Sequence, residues 1–232
     1  MLGVIAGTGL ENFFKGIEAP IKTEYGPVHA ILTKGDKIAF ISRHGFAHGV
    51  PPHKINNKAH FAAFKKLGVS GVLGFSACGA ISKYSIGDLV LLEDFVDFRA
   101  PQTFFDKLES INQHAWMVPP FSKTLQNKVF AAAGKAKVVL KKGGVVAVTA
   151  GPRLETPAEI KAFAKLGANL VGMTTSPEAT LSRELGLEYA AIAVVSNHAA
   201  GVKRFAPSGA GIAAVAAAQA HKAAKIVAEL SK

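Results

Sequence analysis

The sequence predicts an α/β protein: one domain over residues 1–232, built on a twisted mixed sheet flanked by helices. Three observations lead there. From about Lys54 onward, short apolar runs alternate with amphipathic runs of helical period, the pattern of strands and covering helices. The turns after the apolar runs repeatedly carry Thr, Ser, Arg, Glu or Asn beside glycine, as at the carboxyl edge of an α/β sheet. Upstream, two apolar runs meet across a tight turn as a hairpin. A chain of 232 residues, 49% hydrophobic with 23 Gly, suits one such domain, and it contains no repeat or linker.

Taken in order, Leu2 to Ala6 reads as a short strand, and Gly7-Thr8-Gly9 as a tight turn whose backbone N–H groups and hydroxyl suit an anion. This turn lacks the third glycine and the following helix of a dinucleotide fingerprint. Val28 to Leu32 and Ile38 to Ser42 form the hairpin, closed around Lys34-Gly35-Asp36. The second strand ends in Arg43-His44-Gly45, where the arginine fork suits phosphate and His44 offers a further donor. Asn56 to Leu67 is a helix with Ala59, Ala62, Ala63 and Leu67 on its apolar stripe. Val69 to Phe75 is a buried strand, with Ser76-Ala77-Cys78-Gly79-Ala80 as a small-residue turn that again admits an anion. Leu89 to Leu92 is a strand, and an acidic, aromatic stretch from Glu93 to Phe98 follows it. Arg99 to Pro120 has no period and holds the only tryptophan, Trp116; a loop this long reads as a lid or a subunit contact. A helix from about Ser122 to Ala133 leads to the strand Gly143 to Ala150.

Gly151-Pro152-Arg153-Leu154-Glu155-Thr156-Pro157-Ala158-Glu159 then opens a helix running to Leu166. Thr156 and Glu159 have capping-box spacing, and Pro157 stands at the first helical position. Capping leaves Glu155 unexplained, in a turn where α/β proteins expose working side chains. Leu170 to Met173 is a short strand ending in Thr174-Thr175, with Ser176 capping the helix that begins at Pro177-Glu178. Tyr189 to Val195 is fully apolar and ends in Ser196-Asn197-His198-Ala199-Ala200-Gly201. An alanine-rich helix from Ala210 to Leu230 closes the chain.

Several function classes recede on composition. The net charge of +11 arises from lysines scattered in ones and twos, which favours a field for small anions over a nucleic-acid surface. His44, His48, His53 and His60 match no zinc spacing, and Pro51-Pro52 keeps His48 and His53 off one helix face, so no metal is expected. The single Cys78 excludes a disulfide framework and reads as a packed thiol in a reducing, cytoplasmic setting. No signal peptide is expected, and no stretch approaches the roughly 20 apolar residues of a membrane span. A serine nucleophile elbow is absent.

The polar turns sort chemically. Thr8, Arg43, His44, Ser76 and Thr174 suit a phosphate-sized anion, while Glu155 and Asn197 suit the edge of a heterocycle. In order along the chain, Gly7-Thr8-Gly9-Leu10, Arg43-His44-Gly45, Ala77-Cys78-Gly79, Gly151-Pro152-x-x-Glu155-Thr156-x-Ala158-Glu159, Met173-Thr174-x-x-Pro177-Glu178 and Asn197-x-Ala199-Ala200-Gly201 resemble the purine nucleoside and methylthioadenosine phosphorylases of the trimeric type. The resemblance implies a nucleoside phosphorylase-like fold and a homotrimer or dimer of trimers. It implies cleavage of a purine N-glycosidic bond by inorganic phosphate as co-substrate, with no metal or organic cofactor. It places phosphate on Thr8, Arg43, His44, Ser76, the Ala77 backbone and Thr174. Met173 would lie against the ribose, Leu154 beside the base where many members have Phe, and Glu155 and Asn197 on the purine, with Asn197 activating the leaving group.

Hydrogen bonding then selects the base. The N1–H of hypoxanthine or guanine needs an acceptor, which Glu155 is; adenine N1 is itself an acceptor. In the adenine-specific members an Asp stands at the position of Asn197 and another at that of Ala199. A 6-oxopurine is therefore expected. For the sugar, Ala199 to Ala220 contains no histidine to bond a 5′-hydroxyl and is mostly small and apolar, as a 5′-methylthio group would need. Taken together the motifs are most similar to those of 5′-methylthioinosine phosphorylases. A general inosine and guanosine phosphorylase is the alternative, with His53 or His114 of a neighbouring subunit at the 5′ position. Methylthioadenosine phosphorylase and a basic nucleotide-binding protein without turnover follow.

Overall fold

The computed structural model describes residues 1–12, 14–33, 35, 37–204 and 207–232. Among the described residues nine strands form one sheet in the order β2-β3-β4-β1-β5-β8-β7-β6-β9. They are β1 (Leu2–Ala6), β2 (Ile17–Thr23), β3 (Gly26–Leu32), β4 (Ile38–Ser42), β5 (Gly71–Ala80), β6 (Leu89–Asp97), β7 (Lys141–Val148), β8 (Leu170–Gly172) and β9 (Glu188–His198). Parallel and antiparallel pairs are mixed: β2, β3 and β4 are a meander added to the edge of the parallel β4-β1-β5 set, and β5–β8 and β6–β9 are also antiparallel. β9 pairs with β6 and also with β5, so β5-β8-β7-β6-β9 closes on itself. The carboxyl ends of β5, β8 and β9 meet at this closure, and the functional turns meet there with them.

Six α-helices among the described residues cover the sheet: α1 (Asn57–Lys66), α2 (Lys123–Lys135), α3 (Pro157–Lys165), α4 (Thr175–Glu184), α5 (Gly209–Ala218) and α6 (Ala220–Leu230). Two large apolar clusters pack them on its faces. One holds Phe61 and Phe64 of α1 with Phe121, Tyr189 and Val195; the other holds Leu125 and Val129 of α2 with Ile226 and Val227 of α6. The expected capping box is present: the Thr156 hydroxyl accepts from Glu159 N at 3.2 Å, and the Glu159 carboxylate accepts from Thr156 N at 2.8 Å. Asn56 and Ser122 cap α1 and α2 with their side chains alone, accepting from Ala59 N and Leu125 N.

Six expectations are corrected. Ser76 to Ala80 is not a turn: β5 runs on to Ala80, held by β9 on one side and β8 on the other, with a bulge between Cys78 and Gly79. β6 likewise continues through Glu93 to Asp97 along β7, and β9 continues through Ser196 to His198. Ser176 lies inside α4 rather than capping it; Thr174 is the cap residue and makes no side-chain capping bond. The C-terminal run is two helices broken at Gln219, not one. β2, a largely exposed edge strand carrying Pro20, was not expected at all. The hairpin between β3 and β4 is present, and Lys34 and Asp36 of its turn lie outside the described residues.

Candidate active site

A cavity of about 930 Å³ lies over the strand ends, and the residues assigned from the sequence to phosphate, sugar and base line it: Thr8, Arg43, His44, Ser76, Ala77, Leu154, Glu155, Met173, Thr174, Asn197 and Ala199. The loops reach it because local contacts demand it. A side chain on Gly7 would put its Cβ 2.6 Å from His44 Cδ2, so glycine lets the turn after β1 close on the turn after β4. Gly151 adopts φ +63°, and a Cβ there would meet the Met173 sulfur at 2.6 Å; this approach seats the Glu155 turn against the end of β8.

At one end of the cavity the polar groups are tightly interlocked. Arg43 is 2% exposed. Its Nε and Nη2 donate to the two carboxylate oxygens of Glu178, the second at 3.1 Å, and its Nη1 donates to the Phe75 carbonyl at 2.9 Å. The Tyr189 hydroxyl donates to the same carboxylate at 2.6 Å. Burial alone would lower the Arg43 pKa, but the charge and hydrogen bonds of Glu178 outweigh it and the net shift is upward. Burial and then Glu178 hold the Tyr189 pKa well above its ordinary value, so its proton stays. Two of Arg43's five N–H groups remain for a ligand. Ser76 Oγ and Thr174 Oγ1 lie 2.9 Å apart, and whichever donates leaves the other's proton free. Thr174 stands at the N-terminus of α4, where exposed N–H groups and the helix dipole favour an anion.

His44 departs from the donor role read in the sequence. Its Nδ1 lies 2.7 Å from the Val50 carbonyl, which can only accept, so Nδ1–H is spent there and neutral Nε2 is an acceptor. Burial first, and the Arg43 charge second, push its pKa down to about 4. His48 adds a group the sequence reading did not place here. It lines the cavity, stacks on His44 at 4.7 Å between ring centroids, and pairs through Nδ1 with Glu11. Glu11 also accepts the Gly9 N–H at 3.1 Å, so the pair ties the first turn to the second. Its signal was the short spacing from His44. Lys203, Arg204 and Pro207, from the segment between β9 and α5, and Ile212 of α5 also line the cavity unforeseen.

At the other end, Glu155 is 8% exposed and accepts from Thr149 Oγ1 at 2.6 Å through Oε1; Oε2 has no partner among the described residues. Asn197 Oδ1 accepts from Ser196 Oγ at 2.8 Å, and Nδ2 donates to the His198 carbonyl at 2.9 Å, leaving one Nδ2 hydrogen. Ala199, Ala200, Pro207 and Ile212 make a small apolar wall. His53 and His114 of the same chain do not line the cavity; His53 borders a separate groove beside α1. Cys78 is buried and its thiol is pushed up to about 12 by burial, which leaves it unreactive. Among the described residues no three His, Cys, Asp or Glu side chains gather as a metal cluster, and no helix is long and apolar enough to cross a membrane.

The arrangement sets an arginine, two hydroxyls and a helix N-terminus at one end of a cavity and a free carboxylate oxygen with a free amide hydrogen at the other. A family model described as the phosphorylase superfamily matches residues 2–232. The chain is 41% identical over 207 residues to a probable S-methyl-5′-thioinosine phosphorylase of Methanopyrus kandleri, covering 87% of this chain and 80% of that one. It is 37% identical over 213 residues to a 6-oxopurine nucleoside phosphorylase of Pyrococcus furiosus, covering 87% and 80%. The methylthioadenosine phosphorylase of Schistosoma mansoni, solved with adenine, superposes with a TM-score of 0.87 at 24% identity over 99% of this chain and 90% of that one, and shares the fold.

Proposed function

The chain belongs to the phosphorylase superfamily, and from that premise we propose that it cleaves 6-oxopurine nucleosides with inorganic phosphate, S-methyl-5′-thioinosine foremost. The products are hypoxanthine and 5-methylthioribose 1-phosphate. The observation that carries this reading is the single cavity holding Arg43, Ser76 and Thr174 at one end and Glu155 with Asn197 at the other.

Phosphate sits on the two free Arg43 N–H groups, the Ser76 or Thr174 hydroxyl proton, Thr8 and the Ala77 backbone. Neutral His44 accepts the phosphate's own proton through Nε2, leaving bare oxygens toward the sugar. The C1′–N9 bond breaks with its electron pair on the purine, a phosphate oxygen forms the new bond to C1′, and the purine anion takes up the proton that the phosphate gives up, so that it leaves as hypoxanthine. Charge develops at both ends as this happens: positive on the sugar, beside the anion, and negative on the purine. Asn197 donates its remaining Nδ2 hydrogen to N7 or O6, and Glu155 Oε2 accepts N1–H. Met173 packs against the ribose and Leu154 against the base. No metal or organic cofactor takes part in these steps.

The apolar wall of Ala199, Ala200, Pro207 and Ile212 favours a methylthio group at the 5′ end. One observation favours the second reading, inosine and guanosine: His48 lines the cavity and offers a polar partner to a 5′-hydroxyl. Exposed Ile111, Trp116 and Val118 in the segment after β6 support assembly with further copies of the chain, three by family resemblance. A cytoplasmic setting fits the one unpaired, buried thiol.

The test is base release from methylthioinosine, inosine, guanosine, methylthioadenosine and adenosine, with and without phosphate. Release from the three 6-oxopurine nucleosides that requires phosphate is expected, fastest from methylthioinosine. Release without phosphate, or from the adenine nucleosides alone, overturns the reading.

A further inference from the structure

Ser196 is 4% exposed at the end of β9, and none of the steps above uses it. Its Oγ lies 2.8 Å from Asn197 Oδ1 and 3.3 Å from the Cys78 carbonyl. Its single proton goes to the nearer acceptor. The other end of the Asn197 amide is fixed independently, since Nδ2 donates to the His198 carbonyl at 2.9 Å. A backbone carbonyl only accepts, so a flipped amide would bring two oxygens to that distance. Glycine at position 79 makes room for this arrangement: a Cβ there would stand 3.1 Å from Asn197 Nδ2.

Resting on the 6-oxopurine reading, we propose that Ser196 is a specificity-determining, positioning residue: by donating to Asn197 Oδ1 it holds the amide oxygen turned to its own hydroxyl, so that the free Nδ2 hydrogen is what meets the base. A 6-oxopurine offers acceptors at O6 and N7 and is satisfied by that hydrogen. A 6-aminopurine brings N–H donors to the same place and meets a donor there. The selectivity therefore resides in a hydroxyl that does not touch the base. Removing it leaves the His198 carbonyl as the amide's remaining restraint, so Oδ1 can turn toward the base.

The experiment compares wild type with Ser196→Ala, reading kcat/KM for inosine and adenosine, inhibition by hypoxanthine and adenine, KM for phosphate, and thermal stability. The expected result is a fall of about tenfold in the inosine-to-adenosine ratio, with adenine inhibition strengthened against hypoxanthine and KM for phosphate unchanged. Two results would overturn the proposal: a ratio equal to wild type, or equal losses for both nucleosides, which is the mark of a purely structural role. A wild-type protein that releases no base from inosine in phosphate would instead overturn the reading on which the proposal rests.

Discussion

The two ends of the cavity are built on opposite principles. At the anion end nearly every polar group is committed to another part of the protein: Arg43 to Glu178 and Phe75, Glu178 also to Tyr189, Ser76 to Thr174, His44 to Val50. At the base end the internal bonds fix orientation but leave a lone acceptor on Glu155 and one hydrogen on Asn197. The first end is therefore welded to the core, and changes there are felt as stability. The second is held by residues within six positions in sequence, and changes there are felt as selectivity. Recognition of an invariant anion tolerates a rigid, shared framework; choice among purines calls for groups that alter without unfolding the sheet.

The largest way to break this contrast is Glu178→Ala. Glu178 is 0% exposed, and its loss strands the Arg43 charge in the core with the Tyr189 hydroxyl unpaired. Breaking one side of a buried pair costs about 3–5 kcal/mol, read as a lowered denaturation midpoint, and phosphate-dependent turnover should go with it. Retained stability would show that the anion end is not tied to the core. Asn197→Asp probes the other end. The carboxylate keeps the bond from Ser196 but sets an oxygen where Nδ2 now donates to the His198 carbonyl at 2.9 Å, so acceptor faces acceptor. Inosine kcat/KM should fall by a factor of about 100, or roughly 2.7 kcal/mol, with folding stability close to wild type. Preference should move toward adenosine, mainly because inosine turnover is lost. An unchanged ratio of the two efficiencies would remove Asn197 from base selection.

The same contrast governs what could be read from the sequence. Features written in neighbouring residues were legible: the Thr156–Glu159 capping box, the hairpin ahead of Arg43, and Glu155 as the carboxylate capping does not explain. Every candidate side chain also reached the cavity, because βα turns at one sheet edge converge once the strands pair. Features made by distant pairing were not legible. Ser76 to Ala80 reads as a turn from its small residues, and becomes a strand only because β8 and β9 flank it. Glu178 and Arg43 lie 135 positions apart, and nothing local marks them as a pair. Ser176 beside Pro177 imitates a cap, while the Thr174 hydroxyl at the true helix start is drawn away to Ser76. β2 buries little and carries Pro20, so it lacks the apolar signal of a strand.

The gentlest way to sharpen the contrast is pH. His44 at the anion end is pushed down to about 4 by burial and then Arg43, and His60 on α1 to about 3 by burial and then Arg43 and His44. Both start from 6.5, so as the solution acidifies the unfolded chain takes up these protons before the folded one does. Their neutral, buried state is fully available above pH 6.5 and is undermined progressively from there toward pH 3 to 4. Each histidine contributes at most about 1.4 kcal/mol of lost stability per pH unit within its window. Denaturant midpoints followed from pH 7 to 4 should therefore fall in the wild type, and His44→Gln should fall less steeply. A His44→Gln slope as steep as wild type would mean that His44 does not carry the coupling, and the anion end would then be no more bound to the core's stability than the base end is.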